Sequence, residues 1–438
     1  MDIIQITGGR VVDPTSGLDA ETCILIHQGR VASVNREPIS EGPLTIDASG
    51  LLVLPGLVDV HAHLRTPGEE SKEDLDSGTK AAAAGGFTTI VAMPNTDPPM
   101  DNPGLLALMR RQAQGLKADV LFAGAVSVGR KGITMSPMTQ LARASAPIFT
   151  DDGNNISTAG LLRQALLQCS ELGVAVADHC EDPSLVYDPG IAEGPIATSL
   201  GLRGVPVSAE TAAVARDLAV AAGTGGHLHI QHISTEAALE MVALAKARGV
   251  RVTAEVTPHH LTLTSDDVAR LGTLGKVNPP LRSARDRDAL RRGLARGTID
   301  MIATDHAPHL TSDKNCPFKE GKPGVIGLET CLSLACSLVE EGLLEWPDLA
   351  RVLSLNPARL LGLDDRGSLS PGSRGDLILV DPQAGWTPRA EGYQSKSRNC
   401  PYAYLNLRLK GKVILTVAGG RVVYEASCGG RRLVAGQG

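Results

Sequence analysis

Short apolar runs alternate with Ala- and Leu-rich stretches through the middle of the chain, as at Leu161–Leu172 and Ala209–Ala222. The runs have the length of buried strands, and the stretches between them have the length of helices. Eight runs fit this pattern: Leu57–His63, Phe87–Met93, Asp119–Val126, Ala146–Asp151, Val174–Asp178, His227–His232, Val250–Val256 and Asp300–Thr304. Strand–helix alternation repeated in this way predicts an α/β protein whose parallel strands form a (β/α)8 barrel of the TIM type.

Both ends of the chain have a different pattern, in which short β-prone runs are separated by Gly, Asp and Pro. These runs are Ile3–Ile6, Cys23–His27, Val31–Val34, Asp376–Val380, Val413–Val417 and Arg421–Tyr424. Because chain termini often lie close in space, we expect the two ends to pair into one small β-sandwich. The predicted organisation is a sandwich formed by residues 1–54 and 366–438 beside a barrel at 55–365.

Composition narrows the class of protein. The chain has 438 residues, a net charge of -6 and no basic block, so the charge pattern of a nucleic-acid-binding protein is missing. Its 8 cysteines are scattered and do not indicate a disulfide framework. The first residues lack the pattern of a signal peptide, and no apolar run reaches the length of a membrane span. These features predict a cytoplasmic enzyme with no nucleic-acid or membrane partner.

Polar residues cluster where the predicted barrel strands end. His61 and His63 are two residues apart, so on a strand they point to the same face. Other strand ends carry further candidates: Asp151, Asp152, His179, His232, Asp305, His306 and His309. Because the carboxyl ends of barrel strands meet at one mouth, we expect these side chains to converge. Imidazoles and carboxylates are zinc ligands, and catalytic zinc activates water, so the pattern predicts a metal-dependent hydrolase.

Each of these signals is weak when it stands alone. His227 and His229 form a second pair with the same spacing, and we predict that they are structural or face outward. Asp151 could simply cap the helix that follows it. Structural roles are also the expectation for His259, His260 and His306, and a single His179 or His232 would more often be structural too. The metal-site prediction therefore depends on the whole set of strand ends.

Several sequence motifs resemble those of the bacterial class I dihydroorotases of the amidohydrolase superfamily. They are HAHLRTPG (61–68), MPNT (93–96), FTDDG (149–153), DHCED (178–182), QHIS (231–234), TAEVTPHHL (253–261), VNPPLR (277–282), ATDHAPH (303–309) and SKSRN (395–399). They occur in the order expected of the family and span nearly the whole chain.

The resemblance implies a pair of zinc ions. The implied ligands are His61, His63 and Asp305 for the first ion, His179 and His232 for the second, and Asp152 as the bridge. Asp152 is preferred to Asp151 because its spacing to His179 is that of the family. Many relatives, including hydantoinases, bridge with a carboxylated lysine, so an aspartate here favours a dihydroorotase. A form with a single zinc ion stays open.

The resemblance also implies residues that hold the carboxylate of the substrate. His63 and Arg65 would border the ring, and Arg65, Asn95 and His309 would bind the carboxylate, which suits the paired donors of a guanidinium. The alternatives are a surface ion pair for Arg65 and a turn-forming role for Asn95.

Ring amides would be bound by Asn278 and by the backbone around Pro323 and Gly324. Asn278 could also be only a loop residue. The polar stretch 311–325 follows the eighth predicted strand, and we expect it to form a long active-site loop.

The implied reaction is the reversible, zinc-dependent cyclisation of N-carbamoyl-L-aspartate to L-dihydroorotate in pyrimidine biosynthesis, with Asp305 transferring the proton. Two alternatives are an allantoinase or hydantoinase, and an inactive barrel that serves as a scaffold for aspartate transcarbamoylase. We expect a homodimer, and an active enzyme could still associate with aspartate transcarbamoylase.

Overall fold

The computed structural model describes residues 3–34, 37–39 and 44–427. The predicted end segments 1–54 and 366–438 each extend beyond these residues, so residues 1–2, 35–36, 40–43 and 428–438 of those predictions lie outside the described residues.

The strands are β1 Ile3–Asp13, β2 Leu18–His27, β3 Arg30–Val34, β4 Leu44–Asp47, β5 Leu52–Pro55, β6 Leu57–Ala62, β7 Phe87–Ala92, β8 Asp119–Phe122, β9 Ile148–Phe149, β10 Ala175–Asp178, β11 Leu228–Ile230, β12 Val252–Val256, β13 Met301–Ile302, β14 Leu377–Asp381, β15 Lys412–Ala418 and β16 Arg421–Glu425. The helices are α1 Leu75–Ala84, α2 Pro103–Gln112, α3 Met138–Arg143, α4 Ala159–Leu172, α5 Pro195–Ser199, α6 Val207–Thr224, α7 Glu236–Ala247, α8 Pro258–Thr262, α9 Ser265–Leu271, α10 Ala284–Ala295, α11 Thr311–Lys314, α12 Leu328–Glu340, α13 Trp346–Ala350 and α14 Asn356–Leu360.

Both ends of the chain contribute to one sheet. Its order is β16-β15-β14-β5-β1-β2-β3, and β4 pairs with the first half of β1. The junction is the antiparallel pair β5–β14, in which Val53 lies opposite Leu379. These two residues pack with Val11 and Ile24 in a separate apolar core. The predicted pairing of the two ends is therefore observed, within a single connected set of strands.

The middle of the chain is an α/β structure with parallel strands, as predicted. β6–β8 form one parallel sheet and β9–β13 another. Each of the eight predicted runs contains one of these strands, which are shorter than the runs. Parallel bridges join the sheets at both edges, between Gly124 and Phe149 and between Ala62 and His306. The carboxyl end of β6 therefore lies beside the segment that follows β13.

Local sequence explains the helix between β9 and β10. Thr158 caps α4 by accepting from the Leu161 backbone N–H, and Gly173 ends it with a left-handed φ of 72°. Leu162, Ala165, Leu166 and Cys169 form its buried face at helical spacing. β9 and β10 are buried in full, which is typical of parallel strands covered on both faces.

A buried carboxylate joins the two strand ends that carry the first histidines and Asp305. Asp59 Oδ1 accepts from the backbone N–H groups of His61 at 3.2 Å and Thr304 at 3.0 Å, and Oδ2 accepts from Thr304 Oγ1 at 2.5 Å. Burial raises the pKa of Asp59 to about 7, against these hydrogen bonds. Asp59 thus holds residues 61–63 next to residues 304–306.

Within the described ranges, no helix combines the length and apolar character that a membrane crossing requires. The seven cysteines of those ranges are free thiols.

Candidate functional site

Six side chains from different strand ends converge on one point. His61 and His63 lie at the end of β6, and the others follow β9, β10, β11 and β13: Asp152, His179, His232 and Asp305. All six are buried. The structure thus brings together every residue that the sequence predicted as a metal ligand.

Asp152 lies at the centre of this cluster. Its Oδ1 is 3.3 Å from His61 Nε2, 3.7 Å from His179 Nδ1 and 3.7 Å from His232 Nε2. Its Oδ2 is 3.6 Å from His63 Nε2. One carboxylate therefore faces all four imidazoles.

Asp305 closes the cluster on the side of His63. Its Oδ1 is 3.0 Å from His63 Nε2 and 3.6 Å from His61 Nε2. Three buried atoms of the cluster, His61 Nε2, Asp152 Oδ1 and His179 Nδ1, have no hydrogen-bond partner. Unpaired buried polar atoms are costly, and imidazole nitrogens facing carboxylate oxygens are the donor set of zinc. The residues therefore fit a metal ion.

The imidazoles of the cluster lower the pKa of its two carboxyl groups. Burial alone would raise the pKa of Asp152, but the imidazole of His61, together with those of His179 and His232, holds it well below its usual range. Burial would likewise raise the pKa of Asp305, and His63 and His61 lower it instead. Both carboxyl groups are therefore ionised at neutral pH, the state in which a carboxylate binds metal or accepts a proton.

The chain enters the site in left-handed backbone conformations. Arg65, His232 and Asp305 have φ values of 60°, 32° and 45°. Such conformations cost about 1–3 kcal/mol in non-glycine residues and tend to occur at functional sites. Each lies two or three residues past the end of a strand.

The turn at His232 corrects one prediction. His229 is 1 % exposed and its Nε2 lies 3.0 Å from Glu255 Oε2, so the outward alternative is wrong for this residue. Strand alternation would place His229 and His232 on opposite faces. β11 ends at Ile230, however, and the positive φ of His232 returns its side chain to the interior. His227 is half-buried beside Thr253.

Sequence reasoning missed the function of Glu255. Its Oε1 is 2.6 Å from His61 Nδ1 and accepts from the His232 backbone N–H at 3.2 Å, while its Oε2 contacts His229. The bond to Nδ1 leaves His61 Nε2 free to face the cluster. A charged residue inside the predicted strand Val250–Val256 was the available signal.

A cavity of about 230 Å³ opens beside the cluster. It is lined by His63, Arg65, Asn95, Asp152, Gly153, His179, His232, Asn278, Asp305, Ala307, His309, Lys322, Pro323 and Gly324. All seven residues that the sequence predicted as substrate contacts are among them.

Arg65 supplies a buried cation to one wall of the cavity. It is only 9 % exposed, its Nε donates to Pro308 O at 3.1 Å, and Glu69 lies 3.7 Å from Nη1. This burial argues against the alternative of a surface ion pair. Asn95 Oδ1 lies 2.9 Å from His63 Nδ1, which leaves His63 Nε2 toward the cluster. Asn95 therefore does more than form a turn.

The opposite wall consists of His309, Pro323 and Gly324. His309 Nε2 donates to Pro323 O at 2.8 Å. Burial lowers the pKa of His309 to about 2, with Arg65 acting in the same direction, so the ring is neutral. It can donate to a carboxylate only by breaking this bond or by taking up a second proton. Gly324 has a φ of 130°, and a Cβ there would lie 2.7 Å from Ala307 Cβ.

Asn278 and the loop complete the cavity. Asn278 Nδ2 lies 3.1 Å from His179 Nε2, and its buried Oδ1 has no partner. The predicted loop 311–325 begins with the short helix α11, and its far end lines the cavity.

The remaining candidates lie outside the cluster. Asp151 accepts from the Ser127 backbone and hydroxyl, and Thr158 rather than Asp151 caps α4. His306 Nε2 lies 3.3 Å from Glu73 Oε2. His259 and His260 are buried in α8, where His260 contacts Thr257 and Pro279.

Comparison with known proteins identifies the family. A family model described as Dihydro-orotase-like matches residues 50–238. The chain is 46% identical to a dihydroorotase from Geobacter metallireducens, over 96% of this chain and 99% of that protein. It is 42% identical to a dihydroorotase from Aquifex aeolicus, again over 96% and 99%.

Solved structures agree with this fold. An L-hydantoinase (dihydropyrimidinase) from Arthrobacter aurescens has a TM-score of 0.88 and 27% identity, covering 97% of this chain and 96% of that chain. A D-hydantoinase (dihydropyrimidinase) from Thermus sp. has a TM-score of 0.81 and 25% identity, covering 96% and 94%. With the sequence relatives nearly half identical over almost their full length, the chain belongs to the dihydroorotase family, as its motifs predicted.

Proposed function

We propose that this protein is a dihydroorotase that interconverts N-carbamoyl-L-aspartate and L-dihydroorotate in pyrimidine biosynthesis. The observation that carries the proposal is a buried guanidinium, Arg65, in the cavity that opens beside the cluster of four imidazoles and two carboxylates. The cavity thus offers a cation for a substrate carboxylate beside groups suited to hydrolyse an amide.

The proposed cofactor is a pair of zinc ions, with a single ion as the alternative. His61, His63 and Asp305 would hold one ion, His179 and His232 the other, and Asp152 would bridge them. The Nδ1 contact of His61 with Glu255 and that of His63 with Asn95 support ligation through Nε2 in both rings. Bound zinc would polarise the ring carbonyl and lower the pKa of a water molecule beside it.

Substrate binding would begin with the carboxylate. Arg65 offers N–H donors that Glu69, at 3.7 Å, does not hold within hydrogen-bond distance, and Asn95 Nδ2 is available because the hydrogen bond to His63 uses Oδ1. His309 would contribute after it releases Pro323. The carbonyl of Pro323 and the unpartnered Oδ1 of Asn278 would then accept from the ring N–H groups, with the Gly324 backbone beside them.

Asp305 would move the proton. As a carboxylate it accepts a proton from the attacking water, and it then donates this proton to the ring nitrogen as the amide C–N bond breaks. The reverse sequence closes the ring and releases water.

The architecture that would support this chemistry is a (β/α)8 barrel at 55–365 with a β-sandwich built from the two chain ends. The two bridges that join β6–β8 to β9–β13 support closure of the strands into a ring.

A hydantoinase-type activity is the competing function, because hydantoinases share the fold. Hydantoin lacks the carboxylate of dihydroorotate, and a buried cation in the cavity would then be left without a partner. Asp152, in the position where hydantoinases are expected to carry a modified lysine, also favours a dihydroorotase.

Hydrolysis of dihydroorotate, hydantoin and allantoin should be measured in parallel on the full chain, with and without a chelator. We expect turnover of dihydroorotate alone, its loss in chelator and its recovery on adding zinc. Faster turnover of hydantoin or allantoin would assign the chain to the competing class, and turnover that survives complete metal removal would refute the metal-dependent reaction.

A further inference from the structure

Lys314 is a buried lysine that the proposed reaction does not use. It ends helix α11 and is 7 % exposed. Its Nζ donates to three backbone carbonyls: Lys322 O at 2.7 Å, Thr273 O at 3.1 Å and Lys276 O at 3.3 Å. An ammonium group has three N–H donors and no acceptor. All three donors of Lys314 are therefore used to hold backbone.

The three carbonyls belong to two segments that lead directly into the cavity wall. Lys322 immediately precedes Pro323 and Gly324, and Lys276 lies two residues before Asn278. The Gly324 backbone N–H donates to Lys276 O at 2.8 Å, so the two segments also contact each other. The ammonium lies at the junction of the segments that carry the three proposed ring-binding residues.

Further hydrogen bonds connect α11 to the same two segments. Thr273 Oγ1 donates to the carbonyl of Lys314 itself. The Lys322 backbone N–H donates to Asp313 O at 3.1 Å. Lys319, by contrast, has an exposed side chain in the middle of the loop. The loop from 311 to 325 is thus tied down near both ends. The Lys276 ammonium also holds its middle, by donating to Phe318 O at 2.8 Å and Lys319 O at 3.3 Å, whereas Lys314 holds the end that lines the cavity.

We propose that Lys314 is a positioning residue, whose ammonium holds the segments carrying Asn278, Pro323 and Gly324 in the geometry that binds the ring. This inference rests on the proposed function, because the ring-binding role of those residues gives the anchor its kinetic effect. Charge-assisted hydrogen bonds are stronger than neutral ones. A methionine of similar length would leave three carbonyls without their donor, so the wall would loosen.

The protonation of Lys314 sets the condition for a test. Burial lowers the pKa of Lys314 to about 7, and the ammonium of Lys276 acts in the same direction, while Asp313 and Cys316 raise it. Below this pH Lys314 is protonated and keeps all three N–H donors, so the measurements are made there.

The test compares Lys314→Met with Lys319→Met in the zinc-loaded full chain, since both changes remove one positive charge from the same loop. For Lys314→Met we expect the KM for dihydroorotate to rise about tenfold or more while kcat stays within about threefold, because loss of ground-state and transition-state binding together raises KM alone. Amide exchange at 276–278 and 322–325 should also become faster. Lys319→Met should change neither quantity.

Unchanged KM and unchanged exchange in Lys314→Met would overturn the proposal, as would a loss of kcat at constant KM. If Lys314→Met does not fold, Lys314→Gln, which keeps a shorter and uncharged donor, is measured in the same way. A wild-type chain that does not turn over dihydroorotate would refute the proposed function. The exchange comparison would then still decide whether Lys314 anchors the wall.

Discussion

Glu255→Gln tests whether a carboxylate outside the cluster controls metal binding. Glu255 is fully buried and faces three donors: His61 Nδ1 at 2.6 Å, His229 Nε2 at 3.0 Å and the His232 backbone N–H at 3.2 Å. A glutamine has the same shape, but it offers one acceptor oxygen and an NH2 group that cannot accept.

These contacts predict how much zinc affinity the Glu255→Gln variant loses. His229 can reverse its tautomer and accept from the new NH2, since its Nδ1 contacts only the hydroxyl of Thr253 at 2.9 Å. His61 cannot do this while its Nε2 binds metal. It would exchange a charge-assisted bond for a neutral one or lose the bond. Changes to carboxylates that orient metal-binding histidines typically weaken metal affinity about 10–100-fold, which corresponds to about 1.4–2.8 kcal/mol.

The assay is a competition titration of the metal-free protein with zinc in the presence of a chelating dye. Glu240→Gln, an exposed position on α7, is the matched control and should bind zinc like the wild type. A zinc affinity of Glu255→Gln within about twofold of wild type would refute the orienting role.

Three further predictions follow from the site and the core. Asp305→Asn should lower kcat by at least about 100-fold, because the amide cannot take up the proton. Dihydroorotate binding should remain measurable by calorimetry, and near-normal turnover would contradict the assigned role. Arg65→Ala should raise the KM for dihydroorotate by about 10–100-fold, because one charged hydrogen bond of about 1.5–3 kcal/mol is lost. Zinc uptake should stay unchanged, and equal effects on the binding of dihydroorotate and hydantoin would contradict carboxylate recognition. Phe149→Ala should lower the free energy of unfolding by about 3–5 kcal/mol in urea titrations, because Phe149 is fully buried in β9. A loss below about 1 kcal/mol would contradict this prediction and show that the core closes around the gap.

The positions of the parallel strands were predictable because each buried strand is a short apolar run between helical stretches. The candidate ligands were predictable for a related reason. Polar residues at the ends of apolar runs have no role in the core, and parallel strands bring their carboxyl ends to one edge. His61, Asp305 and the pair Asp151 and Asp152 could therefore be selected without knowing any distance, and the family resemblance then favoured Asp152.

The alternation of side chains along a strand predicted less reliably which face a residue lies on. The period of two applies only while the backbone stays extended, and His232 adopts a left-handed conformation just past β11. His229 and His232 therefore both face the interior. Residues 229–236 contain no glycine or proline that would mark this turn.

The local pattern of apolar and polar positions is enough to predict which residue types lie at the strand ends. Which partners hold these residues became visible only in the folded chain. Glu255 meets His61 across a separation of 194 residues, and Lys314 meets Thr273 across 41. Contacts of this kind depend on how distant segments pack, and backbone carbonyls, which every residue carries, leave no mark in the sequence.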